Sequence, residues 1–244
     1  MKNKEVAVGD SLESLFSLTP SNCKEIDAMN KKPPFDQIIA LTEEQEERLA
    51  LRQIHISSRA LHKMFFMAKE VIRLFNEPLE VYALAVGNSE VIEDILIPRQ
   101  MCSHTSIHIN AKDLLSLMPE IQKQDVNVLG WTHSHANFSV FFSGTDTQNQ
   151  KTILAETSNF RTLNGSRVKF CYGLTVNIHQ DVFGMVSTQF SSGKIYSNQA
   201  TLEIHSSPND GVLSDFEEAA LSQILRDHIH ILKSSSQDFK SEHC

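Results

Sequence analysis

One stretch of the chain, Gly130-Trp131-Thr132-His133-Ser134-His135 continuing through Phe141-Phe142-Ser143-Gly144-Thr145-Asp146, constrains the fold more than any other. Val126 to His135 is a short apolar run of strand type that ends in two histidines, and Thr147 to Thr157 reads as helix. On a strand, residues i and i+2 project from one face, so His133 and His135 point together. Asp146 stands beyond a loop at the expected start of the helix, from where its carboxylate can fold back to the imidazoles. Two imidazoles and a carboxylate make a three-ligand zinc set, which leaves the fourth position to water, as in a catalytic rather than a closed structural site. Taken singly, the parts are ordinary: HxH pairs are common, and Ser143-x-x-Asp146 is also an ordinary helix N-terminus. The combination carries the signal.

The flanking sequence predicts what this stretch packs into. Thr42-Glu43-Glu44-Gln45 is a capping box opening a short helix. Arg52 to Ile56 reads as a strand. Ser57 or Ser58 then caps a helix in which Leu61, Met64, Phe65, Ala68, Val71, Ile72 and Phe75 recur at three- and four-residue steps, ending at Asn76 to Pro78. Glu80 to Val86 and Val91 to Ile97 read as a hairpin around Gly87-Asn88-Ser89, and a helix after Asn110 is interrupted or ended near Pro119. Val168 to Ile178 pairs with Val182 to Gln189, and Lys194 to Ser197 and Thr201 to His205 read as short strands. Ser214-Asp215-Phe216-Glu217 caps a helix to about Lys233. This order predicts one mixed α/β domain over residues 50–205, a mixed β-sheet flanked by helices. A flexible arm over 1–45, with a docking segment at Leu12 to Leu18, and a C-terminal helix and disordered tail over 206–244 are the expected extensions.

Composition narrows the partners. A net charge of -8 argues against nucleic acid or an anionic membrane. No run of about 18 apolar residues predicts a membrane span, and Met1 to Asp10 lacks the apolar core of a secretory signal. Cys23, Cys102, Cys171 and Cys244 are scattered, with no CxxC pair, and read as free thiols. The expected location is cytoplasmic, extending to the nucleus if the chain is eukaryotic.

The HxH, Ser and Asp pattern resembles the JAMM motif of the MPN+ metalloprotease family, over about residues 50–205. The resemblance implies a single MPN (cytidine-deaminase-like) α/β domain, with one catalytic Zn2+ held by His133, His135 and Asp146. By position, Ser143 matches the serine that helps stabilise the oxyanion, and Glu80 in Leu79-Glu80-Val81-Tyr82 matches the general base. A carboxylate entering an apolar strand is partly desolvated, which raises its pKa toward the range useful for proton transfer; on its own Glu80 also fits a strand edge. Ser143-Gly144-x-Asp146 with Thr147-Gln148 looks closer to proteasome-lid and signalosome deubiquitinases than to endosomal ones. The family usually has proline after the second histidine, where this chain has Ala136.

The implied activity is hydrolysis of the bond between a lysine amine and the C-terminus of ubiquitin or a ubiquitin-like modifier. A second MPN-domain protein or a second copy of the chain is the implied pairing partner, through flanking helices such as that from Ser214. Two other readings stand beside it: an MPN scaffold without catalysis, and a hydrolase of a non-ubiquitin amide or sulfur-carrier conjugate. Elsewhere, His228 and His230 diverge on a helix and make a poor metal pair. His104 and His108 read as solvated or as modifier contacts. Phe138, Phe141 and Phe142 fit either an apolar wall beside the metal or plain core.

Overall fold

The computed structural model describes residues 41–157, 159–163, 165–206 and 212–232; the arm before residue 41, with its Leu12 to Leu18 segment, and the polar tail after Ser234 lie outside them. In chain order the elements are α1 (Glu43–Leu49), β1 (Gln53–Ser57), α2 (Ser58–Phe75), β2 (Tyr82–Gly87), β3 (Val91–Ile92), β4 (Asp94–Leu96), β5 (Gln100–Cys102) and β6 (Ile107–His108). Next come α3 (Ala111–Leu115), α4 (Met118–Gln124), β7 (Asn127–Ser134), α5 (Gly144–Glu156), β8 (Phe160–Leu163) and β9 (Ser166–Val176). The series ends with β10 (Val182–Gln189), β11 (Ile195–His205), α6 (Asp215–His228) and β12 (Ile229–Ile231).

The fold is the predicted mixed α/β class. Its main sheet runs β3-β1-β11-β10-β9-β7-β2-β4, with β8 added to β9. β1 is parallel to both β3 and β11, β7 is parallel to β9, and the other neighbours are antiparallel. The two ends of the path, β3 and β4, are separated only by Glu93, whose amide donates to the Val86 carbonyl (2.9 Å), so the sheet curls back on itself.

Helices cover both faces. Val81, Ala83 and Ala85 enter a core shared with Ile54, Ile56 and Tyr172 and closed by Met64, Met67 and Val71 of α2 and Leu221 and Leu225 of α6. Tyr82, Leu84 and Val86 enter a second core with Trp131, Ile153 and Leu154 of α5 and Leu114 and Ile121 of α3 and α4. A strand buried on both faces must be apolar at every position, which is why β2 reads as a continuous run and not an alternating one. Between β7 and β9 the backbones approach so closely that a Cβ on Gly130 would lie 2.0 Å from the Tyr172 carbonyl oxygen. Glycine before Trp131 is thus a packing requirement.

Both capping boxes form as expected: Thr42 with Gln45 and Ser214 with Glu217. Ser57 caps α2, which ends on left-handed Asn76. Several boundaries differ from expectation. β2 begins at Tyr82 because Glu80 and Val81 donate instead to the Ser103 carbonyl and the Ser134 hydroxyl. The Val91 to Ile97 run splits at Glu93, its two halves pairing with different strands, β1 and β2. The two short strands expected after Lys194 are one eleven-residue strand, β11, held by β10 and then by β1. α6 stops at His228, and Ile229–Ile231 continue as β12 alongside β5 in a small sheet ordered β12-β5-β6. Pro119 lies in the first turn of α4, where its missing N–H has no helical partner to lose, so it starts a helix and does not break one. Among the described residues no helix is long and apolar enough to cross a membrane. Cys102 and Cys171 are free and buried, and burial pushes both thiols up, so neither is an exposed thiolate.

Candidate metal centre

β7 is the central strand that carries the histidines. Trp131 stacks on Tyr82 (6.0 Å between ring centroids), on His133 (5.3 Å) and on Phe142 (5.2 Å). The Trp131 indole N–H donates to Gln150 Oε1 at 2.6 Å, and Gln150 Nε2 donates to the Cys171 carbonyl at 2.8 Å. One buried glutamine thus fixes α5 against β7 and β9.

α5 in turn places Asp146. Ser143 is its N-cap: the Asp146 amide donates to Ser143 Oγ (3.2 Å), and the Ser143 amide and hydroxyl both donate to Asp146 Oδ2 (2.7 Å each). With Oδ2 so occupied, Oδ1 faces His133 Nε2 at 3.9 Å. That separation is too long for a hydrogen bond. Burial pushes the His133 pKa down against the opposing pull of Asp146, so the ring is neutral and carries a lone pair. Its Nδ1 is buried without a hydrogen-bond partner.

His135 is oriented differently. Its Nδ1 lies 2.7 Å from the Ser139 carbonyl oxygen, which can only accept, so Nδ1 carries a proton and Nε2 is the nitrogen left to face a metal. Phe141 packs edge-on against this ring, 4.9 Å away. His133, His135 and Asp146 each offer one donor atom, and these atoms lie within 4.8 Å of one another. Two imidazoles and one free carboxylate oxygen are a donor set that fits zinc. The sequence-predicted trio is therefore brought together.

Glu80 approaches from the neighbouring strand. Tyr82 pairs with His133, and the Ser134 amide donates to the Val81 carbonyl, so the same antiparallel register continued sets Glu80 opposite His135. Desolvation, and next the negative charge of Asp146, raise the Glu80 pKa to about 7. Gln100 steadies this entry to β2, accepting from the Tyr82 amide and donating to its carbonyl, both at 2.8 Å. The other nearby acids engage elsewhere: Asp94 with Lys63, Glu90 with Arg161, Glu93 with Asn88, and Glu77 with His104.

The loop from β7 to α5 holds the largest departure from the resemblance. Ala136 is fully buried with φ 46, and its carbonyl accepts from the Ile178 amide. Proline is locked near φ −65° and cannot take that conformation. Alanine at this position is thus part of a differently wound loop. Phe138 and Phe141 are half exposed, whereas Phe142 belongs to the core, so the three phenylalanines divide between wall and interior. His228 Nδ1 lies 2.7 Å from the Ile97 carbonyl and His230 is exposed on β12, so this HxH makes no metal pair, here because a helix gives way to a strand.

Sequence reading passed over Ser139, Gln100, Gln150 and Asn177. Asn177 donates to the Phe138 carbonyl and to Asp181 and accepts from the His179 and Asp181 amides, pinning the loop beside His135. The one available signal was an asparagine closing a long apolar strand.

Residues 67–185 match the family model described as prokaryotic homologues of the JAB domain. Among curated proteins, the 26S proteasome non-ATPase regulatory subunit 14 of Dictyostelium discoideum is 32% identical over 112 residues, covering 41% of this chain and 34% of that protein. The chain thus spans about a third of that relative's length. Among solved structures, a JAB1/MPN domain protein from Archaeoglobus fulgidus aligns with 62% of this chain and 96% of its own at 17% identity, with a TM-score of 0.31. Glu80, His133, His135, Ser143 and Asp146 all fall inside the segment that matches the JAB model, which spans just under half of the chain.

Proposed function

We propose that this chain is a zinc-dependent isopeptidase, cleaving the bond between the C-terminus of ubiquitin or a ubiquitin-like modifier and a lysine amine. The observation that carries the reading is the gathering of His133, His135 and Asp146, with Glu80 entering the strand next to the histidines, where burial and the Asp146 charge raise its pKa to about 7. A carboxyl poised in this range suits proton transfer to and from a water molecule, which a hydrolytic site uses and a structural one does not. The substrate class rests on the family resemblance.

Zinc held by His133, His135 and Asp146 would supply Lewis acidity toward a water molecule and the scissile carbonyl. Glu80 takes a proton from the attacking water and returns it to the departing lysine amine, so it serves in turn as base and acid. The Ser143 hydroxyl donates to Asp146 Oδ2 in this structure. It must turn to donate to an oxyanion, while the Ser143 amide keeps Asp146 in place. Phe138 and Phe141 offer an exposed apolar rim for the incoming chain. Assembly with a second MPN domain or another copy is supported by the exposed Phe216 and Ile224 on α6, and by a relative named as a proteasome subunit.

The test uses isopeptide-linked ubiquitin dimers and linear fusions, with and without a zinc chelator, alongside Glu80→Gln. Chelator-sensitive cleavage of the isopeptide bond that Glu80→Gln abolishes is the expected result. Cleavage indifferent to both treatments overturns the mechanism, and zinc binding with no cleavage of any such conjugate overturns the substrate class.

A further inference from the structure

A second group of metal-ligating side chains meets on the outer face of the sheet. Ile54 and Ile56 of β1 are fully buried, so His55 between them turns to the opposite, solvent side. β1 runs parallel to β11 in the register His55↔Glu203 and Ser57↔His205. Glu203 and His205 are two residues apart on one strand and project to the same face as His55. His55 Nδ1 lies 3.0 Å from His205 Nε2 and 3.7 Å from Glu203 Oε2. One donor atom from each of the three lies within 4.8 Å of the others.

The two imidazole nitrogens stand at the spacing of a coordination sphere, and the carboxylate needs to move in by a few tenths of an ångström to join them. With metal–ligand bonds of about 2.0–2.2 Å, neighbouring donors stand roughly 3.0–3.5 Å apart. We propose that His55, Glu203 and His205 form a second site, for a divalent transition-metal ion such as zinc, joining β1 to β11. Two imidazoles with a single carboxylate favour zinc, nickel or copper over calcium and magnesium, which prefer all-oxygen sets. The ion enters from solvent, since Glu203 and His205 are exposed while His55 is largely covered. The site is separate from the first: β10 and β9 lie between β11 and β7 in the sheet. An ion here clamps the parallel β1–β11 pair, which joins the first strand of the sheet to its longest antiparallel run.

Zinc per chain measured by mass spectrometry on untagged protein, stripped with chelator and dialysed against zinc, tests this, together with thermal unfolding with and without zinc. Wild type is expected to hold two ions. His205→Ala is expected to hold one and to lose part of the zinc-induced rise in Tm; Glu203→Gln is expected to bind the second ion at least tenfold more weakly. Both positions are exposed, so neither change disturbs the core. His133→Ala is expected to keep the ion that His205→Ala loses. If the first centre binds no zinc, wild type holds one ion, removed by His205→Ala and kept by His133→Ala, and the proposal stands. Zinc content unchanged by His205→Ala overturns it.

Discussion

Glu80 is held between two opposing demands. Burial and the Asp146 carboxylate raise its pKa from 4.5 to about 7, while the proposed chemistry uses its ionised form. Zinc on the neighbouring donors would pull that pKa down, so the rate of isopeptide hydrolysis is expected to climb with pH and level off below 7. Glu80→Gln should lower kcat by roughly 10²–10⁴-fold with bound zinc unchanged. The same shift bears on stability. A carboxyl whose folded pKa is raised contributes stability that is complete below its unfolded pKa and is lost as pH rises through 7. Glu80→Gln should accordingly raise the Tm of the metal-free protein at pH 8 and change it little at pH 5. Ala136 gives a second test at this scale. Its φ of 46 is relieved by glycine and forbidden to proline. Urea unfolding should show Ala136→Gly neutral or stabilising by up to about 1 kcal/mol, and Ala136→Pro destabilising by more than about 1 kcal/mol. That His133, His135, Ser143 and Asp146 lie together was readable in the sequence because strand period and helix capping are local. His55, Glu203 and His205 were not, because only the β1–β11 register brings them together.

At the level of elements, the seam between β7, β9 and α5 sets the geometry of the centre. Gly130→Ala drives a Cβ into the Tyr172 carbonyl and should destabilise by about 1–3 kcal/mol or more. Gln150→Leu strands the Trp131 N–H and the Cys171 carbonyl inside the protein, which should cost about 1–3 kcal/mol by urea unfolding. Both changes should also weaken zinc binding, since they shift α5 and with it Asp146. Helices and the long strands were legible from hydrophobic period and caps. β5, β6, β8 and β12 escaped notice because they are two to four residues long and depend on distant partners: Ile229 pairs with Gln100, across a separation no local pattern reports. β11 reads as two short strands because Asn198, Gln199 and Ala200 have little strand propensity, yet β10 and β1 together hold the stretch extended.

For the molecule as a whole, the sequence indicated a mixed sheet flanked by helices but not that its ends meet at Glu93, nor that α6 helps close the main core. Leu213, Leu221, Leu225 and Ile229 are buried there, each worth about 1.5–3 kcal/mol. Their sum is comparable to the roughly 5–15 kcal/mol that holds a domain folded. A chain ended before Val212 is therefore expected to lose its cooperative thermal transition, seen by circular dichroism. The central claim, that His133, His135 and Asp146 form one metal centre, is tested most directly by anomalous diffraction at the zinc edge from crystals grown with zinc. A peak about 2.0–2.2 Å from His133, His135 and Asp146, with the fourth position held by no protein atom, is the predicted result. No peak among these three residues, or one that Asp146 does not reach, would contradict it.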